Sequence, residues 1–327
     1  MDSKLAIIIP AYKAVFLDYA LNSLANQTCL DFTVYIGDDN SPYDLKPIVE
    51  KYFDRLDITY QHFDENLGGS DLIAQWNRCV NMLKGENYFC LFSDDDLMES
   101  NNVERFYQLL YAQEECDVYH FDIDVIDGNG KMLWKSNPYP SMLSSSDFFH
   151  LLYTNKIDAR MPEFIFRTEH FKKVGGFVHF DLAYRSDNAT VMICAQAKGV
   201  CTVPNTKVQW RDSGINVSSD GNILLTKRRV LADIDFFNWI EAYYKKLNQQ
   251  CPLPLKKRLK LIVKHLCSLY PTIYGKELYE NLKRVEAISS NYVLYLYCRA
   301  YLIRRQWKKK RKMKKEGIQG IRLKNKA

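Results

Sequence analysis

Phe92-Ser93-Asp94-Asp95-Asp96-Leu97 places three consecutive carboxylates directly after the apolar run Tyr88-Phe89-Cys90-Leu91-Phe92. An apolar run of that length, bounded by polar residues, predicts a buried strand, so the acids emerge where a central strand stops. Three negative charges crowded there repel one another. A hard divalent cation would relieve them, since Mg²⁺ or Mn²⁺ takes oxygen ligands from one or two carboxylates and completes its shell with water and phosphate. The competing reading is an acidic turn that opens the next helix, where Asp and Glu favour the positive end of the dipole. A calcium loop is excluded, because no Gly follows at the turn position and no Glu closes the loop.

Upstream, Leu5-Ala6-Ile7-Ile8-Ile9 stopped by Pro10 predicts a first buried strand, and residues 16–26 carry apolar side chains at helical spacing (Leu17, Ala20, Leu21, Leu24). A second strand, Phe32-Thr33-Val34-Tyr35-Ile36, runs into Gly37-Asp38-Asp39-Asn40-Ser41-Pro42. A helix to about residue 56, a strand over 58–62, the turn Asn66-Leu67-Gly68-Gly69-Ser70 and a helix over 71–82 follow. This strand-helix alternation predicts a parallel, doubly covered sheet, whose ligands bind beyond the carboxyl ends of the strands. Asp38-Asp39 and Asp94-Asp95-Asp96 then share one rim. Downstream, a helix over 102–112 precedes a strand over 117–126, which Asp127-Gly128-Asn129-Gly130 turns back into 131–134. That hairpin breaks the parallel pattern and predicts a mixed second half. A short capped helix at Ser144, strands over 163–167 and 200–203, a helix from Asp187 to about residue 198 and a polar loop over 210–221 complete the first region. Helical spacing then continues to about Arg305. The expected domains are 1–215, a helical region 216–303 and a basic tail 304–327.

A chain of 327 residues with 47% hydrophobic content can bury a full-sized core. Its nine cysteines (29, 79, 90, 116, 194, 201, 251, 267 and 298) show no Cys-x-x-Cys pair and no zinc spacing, and are read as reduced thiols of a cytosolic protein. The start lacks the pattern of a signal peptide, and no run reaches the roughly 20 apolar residues of a membrane span. The net charge of +6 hides an asymmetry: residues 304–327 hold 12 of the 45 Lys/Arg and one of the 39 acids, which leaves 1–303 net acidic. Basicity belongs to the tail, and a nucleic-acid partner is not expected.

Residues 4–215 resemble the inverting nucleotide-sugar glycosyltransferases of the large family 2 type, which have the GT-A fold. The resemblance lies in Ile8-Ile9-Pro10-Ala11-Tyr12-Lys13 with Ser23-Leu24-Ala25-Asn26-Gln27-Thr28, Ile36-Gly37-Asp38-Asp39-Asn40-Ser41, Asn66-Leu67-Gly68-Gly69, Phe92 to Leu97, Gly175-Gly176-Phe177 and Ser186-Asp187. It implies a donor site of Pro10, Tyr12, Asp38, Asp39, Gly68 and Asp94, with Tyr12 stacking on the base and Asp39 preferred over Asp38 for base and ribose. It also implies a Mn²⁺ or Mg²⁺ ion on Asp95, assisted by Asp94 or Asp96; Ser93 stands where many relatives have the first Asp. Asp187 matches the general base, with Asp181 as fallback, and Arg211, in the loop 210–218, would reach the diphosphate. Without the resemblance, Tyr12 would read as a surface tyrosine, Asp187 as a helix cap and Arg167 as an ion-pair partner.

The expected function is transfer of a sugar, UDP-linked as the expected form, to a glycan or glycolipid acceptor in cell-surface polysaccharide synthesis. A nucleotidyltransferase and an inactive scaffold in a glycan-assembly complex are the alternatives. The aromatic stretch 292–303 followed by the basic run 304–315 would place 291–315 against an anionic membrane surface, so the expected location is cytoplasmic, peripheral on the inner face of the plasma membrane, where a lipid-linked acceptor would sit. The bland alternative is a packed helix with a solvated tail.

Overall fold

Strand β1 (Leu5–Ala11) is buried at every position but Pro10, and β2 (Phe32–Asp38) at every position, as apolar and β-branched runs in the middle of a parallel sheet must be. A computed structural model of the chain describes residues 4–112, 116–214 and 222–315. Helix α1 (Ala14–Ala25) joins the two strands; α2 (Lys46–Glu50), β3 (Asp57–His62), α3 (Leu72–Val80) and β4 (Tyr88–Leu91) follow. β1 pairs parallel with β2 and β4, and β2 with β3. The first strand runs past Pro10, which was expected to stop it. The β4 ladder on β1 ends at Leu91 opposite Ile8, so Pro10 lies beyond that pairing.

The second half is mixed. After β5 (Leu97–Met98) and α4 (Asn102–Tyr111) come β6 (Val118–Asp127), β7 (Met132–Lys135), β8 (Met142–Leu143), α5 (Ser145–Tyr153), β9 (Phe164–Arg167), α6 (Thr168–Lys173), α7 (Ser186–Cys194) and β10 (Val200–Asp212). The sheet order is β3-β2-β1-β4-β9-β6-β10-β5, with β7 on β6 and β8 on β10. β9 is antiparallel to both β4 and β6, whereas β10 runs parallel to β6. The strand expected over 200–203 continues to Asp212 through an irregularity between Val203 and Lys207. Pro204 and Asn205, the latter at φ 59°, interrupt the apolar pattern there, which is why the continuation reads as loop in the sequence. Residues 215–218 of the expected covering loop lie outside the described residues.

The thiol reading is corrected at one pair: Cys116 and Cys201 form a disulfide, and the other seven cysteines are free. The pair is 85 residues apart in sequence, and only the pairing of β6 with β10 brings the Cα atoms to 6.0 Å, within reach of a bridge.

The contacts divide the chain into two compact units, residues 1–219 and 220–327. The second holds α8 (Ile223–Lys246), α9 (Leu255–Ser268), α10 (Lys276–Lys283), α11 (Glu286–Ser289) and α12 (Tyr292–Lys315). α12 carries straight through the boundary expected between 303 and 304, so the basic stretch to residue 315 is helix, not a separate tail. No helix among the described residues is long and apolar enough to cross a membrane.

Candidate active site

The carboxyl ends of β1, β2 and β4 carry Tyr12 and Lys13, Asp38 and Asp39, and Asp94 to Asp96. All five aspartates are nearly closed to solvent. A buried carboxylate needs partners, and each has a different set.

Asp38 accepts from Ser41 N at 2.9 Å and Tyr60 Oη at 2.6 Å, and His62 Nδ1 lies 2.9 Å from it. Asp39 accepts from Leu67 N and Gly68 N, both at 2.8 Å, and from Arg78 Nη2 at 2.6 Å. Burial pushes the Asp39 carboxyl up, against the two amides and Arg78. A carboxylate offers about four acceptor positions, so each has one that none of these hydrogen bonds fills. Gly68 is where the turn must come close: a Cβ there would lie 2.6 Å from Asp39 Oδ2. A groove of about 600 Å³ is lined by Gln61, Phe63, Asn77 and Arg78 among others, and Arg78 is the residue it shares with the partners of Asp39.

The triplet does not converge on one point. Asp94 Oδ2 accepts from Tyr12 N at 2.9 Å and Lys13 N at 2.8 Å, which latches the β1–α1 loop onto the end of β4. Asp95 pairs with the Lys13 ammonium, which also stands 3.4 Å from Asp94 Oδ1. Asp96 Oδ1 accepts from Arg211 N at 2.8 Å, and its Oδ2 is buried without a hydrogen-bond partner. Burial raises Asp94 and raises Asp96 well above the carboxylate range; the Asp95 charge adds to both. At Lys13 burial alone would favour the neutral amine, but the charges of Asp94 and Asp95 outweigh it and the ammonium is held more firmly than usual. The two partners of this pair thus both shift up, because burial dominates at Asp94 and pairing dominates at Lys13. Tyr12 is 41% exposed, and its carbonyl accepts from Ser41 Oγ at 2.7 Å, tying the two loops together.

Arg211 is placed differently from the expectation. It lies on β10, not in a mobile loop, and is 3% exposed. Its Nε donates to the Asp95 carbonyl at 2.8 Å and its Nη1 to the carbonyls of Asp127 and Gly128 at 3.1 and 3.2 Å, with the Phe16 ring 4.6 Å from the guanidinium. In this position it braces the triplet from behind.

Asp187 is the second residue of α7 and accepts from Asn188 N at 2.7 Å. Before it, Leu182, Ala183 and Arg185 take φ of 58°, 53° and 74°, a run of left-handed residues that marks a strained, built turn. Asp187 keeps a path to solvent, yet enough protein surrounds it that desolvation raises its pKa against the nearby charges of Arg185 and Arg160. Arg160, one of those charges, stacks on Trp210 at 4.4 Å, the neighbour of Arg211 in β10. Asp181 sits on a separate short turn, Asp181–Ala183. Gly175 and Gly176, at φ of 100° and 76°, turn the chain so that Phe177 packs on Trp76 of α3. Arg167 forms an ion pair with Asp117. Sequence reading missed Lys13, Tyr60, His62, Arg78, Arg160 and Glu163; the last is fully buried beside His120, and burial raises its carboxyl well above the usual range. Of these only Lys13 carried a signal, as a cation next to Tyr12 facing an acidic rim.

For the implied divalent ion, no group of three His, Cys, Asp or Glu among the described residues forms a preformed cage. The unpartnered Oδ2 of Asp96 is the observation that favours an ion, and Asp95, buried and paired with Lys13, is the other carboxylate such an ion would take while bringing its own waters and phosphates. Asp94 is the poorer ligand, since amides already engage it.

Residues 6–175, just over half of the chain, match the sequence model of Glycosyl transferase family 2. The chain belongs to glycosyl transferase family 2. Curated relatives of this family 2 chain include validoxylamine A glucosyltransferase of Streptomyces hygroscopicus subsp. jinggangensis, 43% identical over 67 residues, which are 20% of this chain and 16% of that protein. Another is poly(ribitol-phosphate) beta-N-acetylglucosaminyltransferase TarS of Staphylococcus aureus, 27% identical over 175 residues, 52% of this chain and 28% of that protein. The matches thus span less than a third of those relatives. Among solved structures, S. aureus TarS 1-349 in complex with UDP-GlcNAc superposes with a TM-score of 0.57 at 18% identity, covering 93% of this chain and 89% of that one. GalNAc-T7 with UDP, GalNAc and Mn²⁺ gives 0.52 at 13% identity, covering 82% and 58%. The fold is GT-A.

Proposed function

We propose that this chain is an inverting glycosyltransferase that moves a sugar from a UDP-linked donor to a glycan or glycolipid acceptor of the cell surface. The observation that supports it best is the latched rim: one carboxylate, Asp94, holds the loop that presents exposed Tyr12 and Lys13 beside Asp38 and Asp39. In this reading the base stacks on Tyr12 above Pro10, and the remaining acceptor positions of Asp39 and Asp38, framed by Gly68, take base and ribose hydrogen bonds. Asp95, with Asp96 Oδ2, would hold Mn²⁺ or Mg²⁺, which when bound offsets the charge on the leaving diphosphate.

Asp187 takes the proton of the acceptor hydroxyl as that oxygen bonds to the anomeric carbon from the face opposite the leaving group, and the bond from that carbon to the diphosphate breaks. One displacement inverts the configuration. A carboxylate whose pKa is raised by desolvation is a stronger base than an ordinary Asp, which suits that role. The membrane belongs to the same reading: the exposed side of α12 would rest on anionic lipid and bring the enzyme to a lipid-linked acceptor.

The test is a panel of UDP-sugars, with UDP-N-acetylglucosamine first, scored by thermal shift with Mn²⁺, since a ligand that binds only the folded state raises apparent stability. A stabilising donor that is then consumed with release of UDP supports the reading. Release of pyrophosphate from a nucleotide and sugar phosphate would mean a nucleotidyltransferase, and a donor bound but never turned over with any acceptor would mean a scaffold.

A further inference from the structure

Lys13 stands between the carboxylates of Asp94 and Asp95 and solvent. Its backbone amide and that of Tyr12 are both fixed by Asp94 Oδ2, so its stem starts directly over the triplet. Its ammonium then contacts Asp95 Oδ2 and stands 3.4 Å from Asp94 Oδ1. The Lys13 side chain is 25% accessible, whereas those of Asp94 and Asp95 are 4% and 2%. An anion arriving from solvent therefore meets the ammonium before it meets the carboxylates. Arg211, the other cation at the triplet, is turned to the carbonyls of residues 95, 127 and 128.

We propose that Lys13 is a built-in counter-cation of this site: it binds the diphosphate of the nucleotide directly, so that the nucleotide binds without a divalent ion, and it competes with such an ion for Asp95. This rests on the reading of the rim as a nucleoside-diphosphate site. An ammonium has three donors and no acceptor capacity, so with two directed at Asp94 and Asp95 one is left for a phosphate oxygen. Its flexible four-carbon stem lets it tilt outward without moving the latched backbone. Without it, a diphosphate would face three carboxylates at close range. A divalent ion reaches Asp95 only by displacing the ammonium, which then remains close enough to pair with the phosphates.

The test uses the full chain and UDP as probe, titrated calorimetrically in EDTA and in Mn²⁺, with Lys13→Met, which keeps the stem and removes the charge, and Lys13→Arg, which keeps the charge. Wild type is expected to bind UDP in EDTA, Lys13→Met to lose about tenfold or more of that affinity, and Lys13→Arg to recover most of it. In Mn²⁺ the Lys13→Met deficit should shrink, and Mn²⁺ alone, followed by its spin-resonance signal, should bind Lys13→Met more tightly than wild type. Undiminished UDP binding by Lys13→Met in EDTA, a Lys13→Arg variant as weak as Lys13→Met, or Mn²⁺ affinity unchanged in Lys13→Met would each overturn the proposal. Wild type that binds UDP only with Mn²⁺ also overturns it and leaves the functional reading standing; wild type that binds UDP under neither condition overturns that reading itself.

Discussion

Asp187 is where one residue's environment makes a sharp demand on experiment. Burial raises its pKa above the ordinary carboxylate value, so the folded chain holds that proton more tightly than the unfolded one. Ionising it costs stability, and the cost arrives as pH climbs from the unfolded pKa through the raised folded one. Asp187→Asn should therefore melt at or above the wild-type temperature at neutral pH, with the difference closing below the ordinary carboxylate range. Transfer should fall by about a hundred- to ten-thousandfold, with donor affinity retained. The acid limb of the wild-type pH–rate profile should sit above the ordinary Asp range. A variant that transfers at the wild-type rate, or an acid limb at the ordinary value, would remove Asp187 from the role of base. Gly68 makes a second demand: Gly68→Ala puts a Cβ 2.6 Å from Asp39 Oδ2 and must break the grip of Asp39 on the turn. We expect a loss of about 1–3 kcal/mol in urea unfolding, together with weaker UDP binding; unchanged stability would show that the turn adapts freely. The types of the rim residues were legible in the sequence, because acids at strand ends announce themselves. Their partners were not, since Arg78 and Tyr60 reach Asp39 and Asp38 only through the pairing of β2 with β3 and the packing of α3.

Strands β1, β2 and β4 could be read as elements because each is a short apolar run closed by polar residues, and the buried interior of a parallel sheet leaves few other choices, whereas the edge strand β3, exposed or half-buried throughout, reads only from its β-branched and aromatic Ile58, Thr59 and Tyr60. β10 could not, because Pro204 and Asn205 break its pattern and its far half alternates polar residues. That single misreading moved Arg211 from a strand into a loop and changed its apparent task. The two tasks separate cleanly by experiment. If Arg211 braces the triplet, Arg211→Lys takes its donor from the buried Asp95 carbonyl and loosens the partly exposed contacts at residues 127 and 128. A buried carbonyl left unsatisfied costs about 1–3 kcal/mol, so a lower melting temperature should accompany any loss of UDP affinity. If it were instead a diphosphate ligand, affinity would fall at unchanged melting temperature. The disulfide was equally hidden, since cysteines 85 residues apart become neighbours only once β6 and β10 pair.

At the scale of the whole molecule, charge is concentrated on one helix. Along α12, Cys298 and Leu302 are buried against the helices of its own unit, and Lys309 Nζ donates to the Ser268 carbonyl at 3.1 Å. Val293, Leu296, Tyr297, Ile303 and Trp307 lie on the exposed side, with Trp307 at 54%, and at about 3.6 residues per turn their positions fall on one face of the helix. Lys308, Lys310, Arg311 and Lys312 continue that side toward the carboxyl end. An apolar, aromatic stripe flanked by cations is suited to lie in an anionic headgroup layer, each Lys or Arg adding about 1 kcal/mol. Cutting the chain at residue 304 would be a poor test, because Arg305 and Lys309 lie on the packed side of the same helix. Substitution on the exposed side avoids that. Trp307→Ser combined with Glu at 308, 310, 311 and 312 should leave the helical content and melting temperature close to wild type while abolishing co-sedimentation with vesicles containing phosphatidylserine. Wild-type binding should weaken steeply as salt is raised and be slight on purely zwitterionic vesicles, since screening removes the ionic share of the attraction. Equal sedimentation of the two proteins with anionic vesicles would return α12 to a solvated helix, and the route to the acceptor would then have to lie elsewhere.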